Sequence, residues 1–173
     1  MGSEPVFLTA DIRRIEKAAG DVTPSLMERA GSAAAELAAG LISEKSKDIL
    51  VLAGPGNNGG DAKIAAELLR QKFFRVTVLT AADASTLPVE RRWGLVLDGL
   101  FGIGLARPVD GEFARLVEYA NSQHCPVLAL DVPSGIASDS GRIAPPKVRR
   151  SSERQNATTA SFARTDPPKR ASS

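Results

Sequence analysis

The segment Gly54-Pro55-Gly56-Asn57-Asn58-Gly59-Gly60-Asp61 holds four glycines among eight residues and closes on an acid. The apolar run Ile49 to Ala53 leads into it, and the helical pattern Ala62 to Leu69 follows at once. A buried strand, a glycine-rich bend and a helix start in that order make a pocket for an anion. Glycines let the backbone reach positive φ and let a ligand approach main-chain N–H groups without meeting a Cβ. Asn57 and Asn58 add side-chain amides, and Asp61 adds a carboxylate. The spacing matches neither the phosphate loop ending in Gly-Lys-Ser/Thr nor the dinucleotide pattern Gly-x-Gly-x-x-Gly, so neither an NTPase nor a simple dehydrogenase follows.

Two further junctions have the same plan. Leu95-Val96-Leu97 ends at Asp98 and runs on through Gly99-Leu100-Phe101-Gly102-Ile103-Gly104-Leu105-Ala106-Arg107-Pro108. Glycines there offer main-chain donors, and the Arg107 guanidinium suits a phosphate, which arginine meets through two parallel hydrogen bonds. Val127 to Leu130 ends at Asp131, followed by Val132-Pro133-Ser134-Gly135. Carboxylates crowded at one desolvated edge require a cation or a proton, which points to a metal ion or to acid–base work. Asn58, Asp98 and Ser134 offer only oxygens, the ligands of a hard cation. His124 and Cys125 have no catalytic partner near them in sequence and read as packing, and no histidine cluster has metal-ligand spacing.

Positioning these groups requires a parallel sheet. The expected order is a helix over 9–19, a second from Pro24 to about Ser43, a strand at 48–53, a helix at about 60–72, strands at 74–80 and 95–98, a helix at about 112–122 and a strand at 126–130. Short, continuously apolar strands between helices indicate an α/β fold with a parallel sheet covered on both faces. In such a sheet the carboxyl ends of the strands line the ligand crevice. Thr23-Pro24 reads as a cap and first-turn proline, and Leu26, Met27, Ala30, Ala33, Ala34, Leu37 and Leu41 predict the buried face of the second helix. Residues 81–94 carry little periodicity, and a short helix there would complete a right-handed crossover.

The 173 residues suffice for one domain. A single cysteine excludes an internal disulfide and agrees with a reducing cytosol. No leader-like start and no membrane-length apolar stretch is present, so a soluble, cytoplasmic protein is expected. Residues 142–173 carry eight basic against two acidic side chains, a net of +6, which leaves residues 1–141 at −4. A mildly acidic core is a poor footprint for nucleic acid, so no nucleic-acid or membrane partner is expected. Beyond Ile143 the sequence turns polar and basic, predicting a folded unit over 1–143 and a disordered tail over 144–173.

Taken together, AGPGNNGGDAKIAAELL, DGLFGIGLARPVDGEFARLVEYAN and PVLALDVPSGIASDSGRI, with LMERAG at Leu26 to Gly31, resemble the NAD(P)H-hydrate epimerase family, the YjeF N-terminal domain. The resemblance covers about residues 8–143 and implies an α/β fold, a Rossmann-like three-layer sandwich with a mostly parallel sheet flanked by helices. It implies interconversion of the R and S epimers of hydrated NADH and NADPH, NADHX and NADPHX, in nicotinamide nucleotide repair. It also implies that Asn57, Asn58, Gly59, Gly60, Asp61, Gly102, Ile103, Gly104, Leu105, Ala106, Arg107, Pro108 and Asp131 contact the hydrated dinucleotide. Asn58, Asp98 and Ser134 would hold one potassium ion per subunit, and Asp131 is the candidate acid–base group. A homodimer and a separate NAD(P)HX dehydratase acting alongside are further implications. Two departures stand out: Ala62-Lys63 replaces the usual glycine after the Asn-Asn-Gly-Gly-Asp run, and the closing strands of the sheet are expected to be missing after Ile143, leaving the last strand with an open edge. A non-catalytic nucleotide- or protein-binding module is the alternative on the same fold. A small-molecule kinase lacks its phosphate-loop lysine motif here.

Overall fold

All five side chains of the strand Ile49–Ala53 (β1) are buried, because helices cover both faces of the sheet it belongs to. The computed structural model describes residues 7–143 apart from Asp21, Ser43, Lys45 and Ala106, so the tail expected over 144–173 lies outside the described residues. Two helices, α1 (Thr9–Ala19) and α2 (Leu26–Leu41), precede β1. After it come α3 (Asn57–Gln71), β2 (Val76–Leu79), a three-residue 3₁₀ turn at Ala81–Asp83, β3 (Leu95–Gly99), α4 (Gly111–Asn121) and β4 (Val127–Ala129). The four strands are parallel in the order β2-β1-β3-β4, with Ile49 opposite Leu95 and Val96 opposite Val127.

Alternation along β1 and β3 feeds two cores. Ile49, Val51, Leu95 and Leu97 pack with Ala34, Ala35 and Ala38 of α2 and Ala62, Ala65, Ala66 and Leu69 of α3. Leu50, Leu52 and Val96 pack on the opposite side with Trp93 and with Leu116, Tyr119 and Ala120 of α4. The expected three layers are therefore present. Between β2 and β3 the chain forms only the short 3₁₀ turn instead of a crossover helix. It is tied to α4 where Trp93 Nε1 donates to the Tyr119 hydroxyl at 2.8 Å, which donates in turn to the Pro88 carbonyl at 2.8 Å.

The second helix departs from the expectation in two ways. It starts at Leu26, not Pro24, because Ser25 and Glu28 form a reciprocal capping box that satisfies two end donors. It also turns a different face inward: Gly31, Ala34, Ala35 and Ala38 are buried, whereas Leu26, Leu37 and Leu41 are 39, 37 and 45% exposed. The cause is close approach to α3, since a Cβ at Gly31 would lie 2.6 Å from Ile64 Cγ2. Only a small-residue stripe fits that contact, so the leucines rotate outward.

Candidate functional site

Strand order reverses between β1 and β3, and a cleft of about 750 Å³ opens at their carboxyl ends. Asn57, Asn58 and Asp61 enter it from α3, Gly102, Ile103, Gly104 and Leu105 from the loop after β3, and Asp131 from the end of β4. Three chain segments far apart in sequence thus meet at one rim. Ala30, Ala33 and Leu37, on the outward face of α2, form an apolar wall of the same cleft.

The glycine-rich segment works differently from its sequence reading. α3 begins at Asn57, three residues before the expected start, so Asn57 to Asp61 form its first turn instead of a loop. Gly56 stands at the cap position with no side-chain cap, which leaves first-turn N–H groups without intrahelical acceptors. The helix dipole adds partial positive charge at this end. None of Gly54, Gly56, Gly59 and Gly60 is at positive φ. Gly54 and Gly59 are required by packing: a Cβ on Gly54 would overlap the Leu100 carbonyl oxygen, and one on Gly59 would overlap that of Gly54. Gly60 lies beneath Met27, where a Cβ would be 2.6 Å from the sulfur. Gly56 alone faces open space.

Asp131 follows β4 with φ +64, a left-handed conformation uncommon outside glycine. Its Oδ2 accepts the Ile103 N–H at 2.7 Å, which fixes the carboxylate against the Gly102-Ile103 turn. A Cβ at Gly102 would overlap that oxygen, so glycine is the residue that admits it. Asp61 is half-buried in the same cleft. Burial first, then the charges of Asp131 and Glu16, push its carboxyl up from 3.8 to about 6.

Asp98 and Ser134 come together, but beside a second cavity of about 210 Å³ that also holds Val117, Val127 and Ile143. The Asp98 carboxylate accepts Ser134 N–H at 2.9 Å, Ser134 Oγ–H at 2.7 Å and Leu100 N–H at 3.1 Å. Three acids crowded in one crevice, as the sequence suggested, are therefore not what forms: Asp61 and Asp131 line the large cleft and Asp98 faces the small one. Burial nonetheless pushes Asp98 up against the opposing effect of its Ser134 and Leu100 hydrogen bonds. Asn58 is also buried, and its amide Nδ2 has no hydrogen-bond partner. Its backbone oxygen packs against Gly99, where a Cβ would lie 3.0 Å away. Asp98 is offset by three hydrogen bonds and the unpaired atom of Asn58 is an amide nitrogen, a donor, so the oxygens available to a hard cation here are those of the Asp98 carboxylate, the Ser134 hydroxyl and the Asn58 side-chain carbonyl. Among the described residues no group of three or more His, Cys, Asp or Glu could hold a metal ion.

Arg107 and Pro108 are exposed and stand outside the residues lining the cleft, and Ala106 lies outside the described residues. Sequence reasoning missed α1 altogether as a site element. This helix buries none of its residues, yet Ile12, Arg13 and Glu16 line the cleft. Thr9 holds it in place, donating from N and Oγ1 to Asp139 Oδ1 at 2.8 and 2.7 Å. The signal was available: Ile12, Arg13 and Glu16 fall on one side of a helix at three- and four-residue steps.

Comparison with known proteins agrees with this geometry. A family model described as YjeF-related protein N-terminus matches residues 23–93 and 82–153. An NAD(P)H-hydrate epimerase of Bordetella pertussis is 43% identical over 152 residues, covering 76% of this chain and 66% of that protein. One from Achromobacter xylosoxidans is 42% identical over 159 residues, covering 79% and 76%. The bifunctional NAD(P)H-hydrate repair enzyme Nnr of Corynebacterium glutamicum is 34% identical over 169 residues, covering 82% of this chain and 29% of that one. The chain thus spans 66% of the length of its Bordetella pertussis relative. The crystal structure of yeast ynu0 shares the fold, with a TM-score of 0.65 at 24% identity over 80% of this chain and 75% of that one. The family matches span all three strand-end motifs and α2 before them, and the chain belongs to the YjeF-related N-terminal family.

Proposed function

We propose that this chain is an NAD(P)H-hydrate epimerase that interconverts the R and S forms of NADHX and NADPHX, the activity for which its relatives are named. The observation that carries the reading is the convergence of Asp61, Asp131 and the first turn of α3 on one cleft. A helix start with free N–H groups suits a phosphate-bearing ligand. Two carboxyl groups in one pocket suit proton transfer to and from its reacting end.

In the hydrate, the hydroxyl sits on the carbon next to the ring nitrogen. The nitrogen lone pair expels it once the leaving oxygen is protonated, and water returns to either face of the cation. Asp131, held by the Ile103 N–H, gives that proton and takes one back from the entering water. Asp61, which titrates at about 6, shares the proton inventory of the cleft near neutral pH. Asn57, Asn58, Asp61, Gly102 to Leu105 and Asp131, which line the cleft, would form the dinucleotide site, with Gly59 and Gly60 supplying backbone of the α3 first turn. Asn58, Asp98 and Ser134 would hold a potassium ion, which would supply fixed positive charge beside an anionic ligand.

The wider assignments belong to the same proposal. The fused relative Nnr supports a functional link to an NAD(P)HX dehydratase. The exposed Leu26, Leu37 and Leu41 support a homodimer. Among the described residues no helix is long and apolar enough to cross a membrane, and a cytoplasmic location is part of the same proposal. The test is chromatographic: purified protein mixed with (R)-NADHX should produce the S epimer faster than buffer does, and faster in potassium than in tetramethylammonium salt. A flat trace from a folded protein would reject the epimerase.

A further inference from the structure

The cleft has an unbalanced charge. Its lining holds three carboxylates, Glu16, Asp61 and Asp131, and Arg13 is the one cationic side chain among the described residues that line it. A dinucleotide carries two or three phosphate groups into that pocket, so the location of its phosphates is decided by where the carboxylates are not. Arg13 lies at the glycine loop: its guanidinium nitrogen is 3.2 Å from the place a Cβ on Gly104 would occupy. The neighbouring Arg14 is paired with Asp11 at 3.0 Å on the outer side, whereas Arg13 has no ion pair within 4 Å among the described residues. Its charge acts on Asp139, whose Oδ1 accepts from the Thr9 backbone and hydroxyl.

We propose that Arg13 of α1 is the phosphate-binding cation of this cleft, gripping the substrate across the Gly102–Leu105 loop, and that α1 serves as a substrate-binding element despite burying none of its own residues. A guanidinium reaches two phosphate oxygens at once, and glycine at 104 leaves open the space beside which the Arg13 guanidinium lies. Thr9 fixes the start of the helix to Asp139 and to Ser138 Oγ at 2.9 Å, and Ser138 donates to the Ile103 carbonyl at 3.3 Å. Arg13 and the loop are therefore held relative to one another through this chain of contacts. The phosphate is either the pyrophosphate bridge or the 2′-phosphate of the NADP form.

This assignment rests on the dinucleotide reading, and its test separates the two. Arg13→Ala, Arg13→Lys and Arg107→Ala would each be assayed for kcat and KM on NADHX and NADPHX, with NADH and NADPH binding followed by fluorescence. Arg13→Ala should raise KM and weaken binding about ten- to a hundredfold while kcat stays within about twofold, and Arg13→Lys should recover part of the loss. A loss with both cofactors places Arg13 on the pyrophosphate; a loss confined to the NADPH forms places it on the 2′-phosphate. Arg13→Ala with unchanged KM and binding overturns the assignment, as does a fall in kcat alone. If the wild type binds NADPH in an Arg13-dependent way but epimerises nothing, the proposed reaction falls and the phosphate site stands. If the wild type binds neither nucleotide, the phosphate site falls as well.

Discussion

Asp131 and Asp61 show how much chemistry two carboxyl groups acquire from their surroundings. Asp131 was legible in the sequence, because an acid at the end of a buried strand stands at the rim of a parallel sheet. Its anchoring by Ile103, 28 residues away, was not, since no local pattern encodes that contact. Asp131→Asn keeps the shape but cannot transfer the proton, so epimerisation should fall about 10²- to 10⁴-fold while NADPH binding is retained. Full activity in that variant would remove Asp131 from the mechanism. Asp61 makes a pH prediction. Its folded carboxyl titrates at about 6 against an ordinary 3.8, so between those values the folded state binds more protons than the unfolded state. Stability should then fall as pH rises from about 4 to about 6 and level off above. Asp61→Asn should flatten that slope and raise the melting temperature at pH 7. Parallel melting curves against pH for the two proteins would contradict the assignment.

At the level of elements, strand and helix order was legible because apolar runs of four or five residues alternate with helical patterns. Two misreadings have one physical origin. Both the inward face of α2 and the role of the glycines in α3 are set by close approach between elements, which composition does not display. Gly31 of α2 meets Ile64 of α3, and Gly59 of α3 meets the backbone of Gly54 after β1. A hydrophobic-periodicity argument favours leucine as the inward residue, whereas the contact admits only alanine and glycine. Gly59→Ala should therefore cost about 1–3 kcal/mol of stability in chemical denaturation. Gly56→Ala, with open space around it, should cost under about 1 kcal/mol. Equal costs at the two positions would mean that packing is not what fixes glycine at 59. The site residues on α1 were missed for the complementary reason: a helix with no buried residue reads as surface, although its exposed side here is a wall of the cleft.

For the molecule as a whole, the three layers and a cleft at the carboxyl ends of the strands were legible, and the separation of Asp98 into a second cavity was not. Among the described residues β4 pairs only with β3, through three residues, and the apolar cavity holding Val117, Val127 and Ile143 lies beside it. Such an edge favours pairing with other chains, so the isolated chain should scatter light as concentration-dependent assemblies and melt below the usual range. Particles whose size does not change with concentration and a cooperative transition at about 45–65 °C would contradict this. In the proposed reaction the cleft of Asp61, Asp131 and the α3 first turn expels and returns the hydroxyl of a hydrated dinucleotide. That reaction is tested most directly by converting (R)-NADHX in H₂¹⁸O and weighing the S product by mass spectrometry. Every turnover to S should carry one ¹⁸O, and Asp131→Asn should lose conversion and label together; S product formed without label would rule this reaction out.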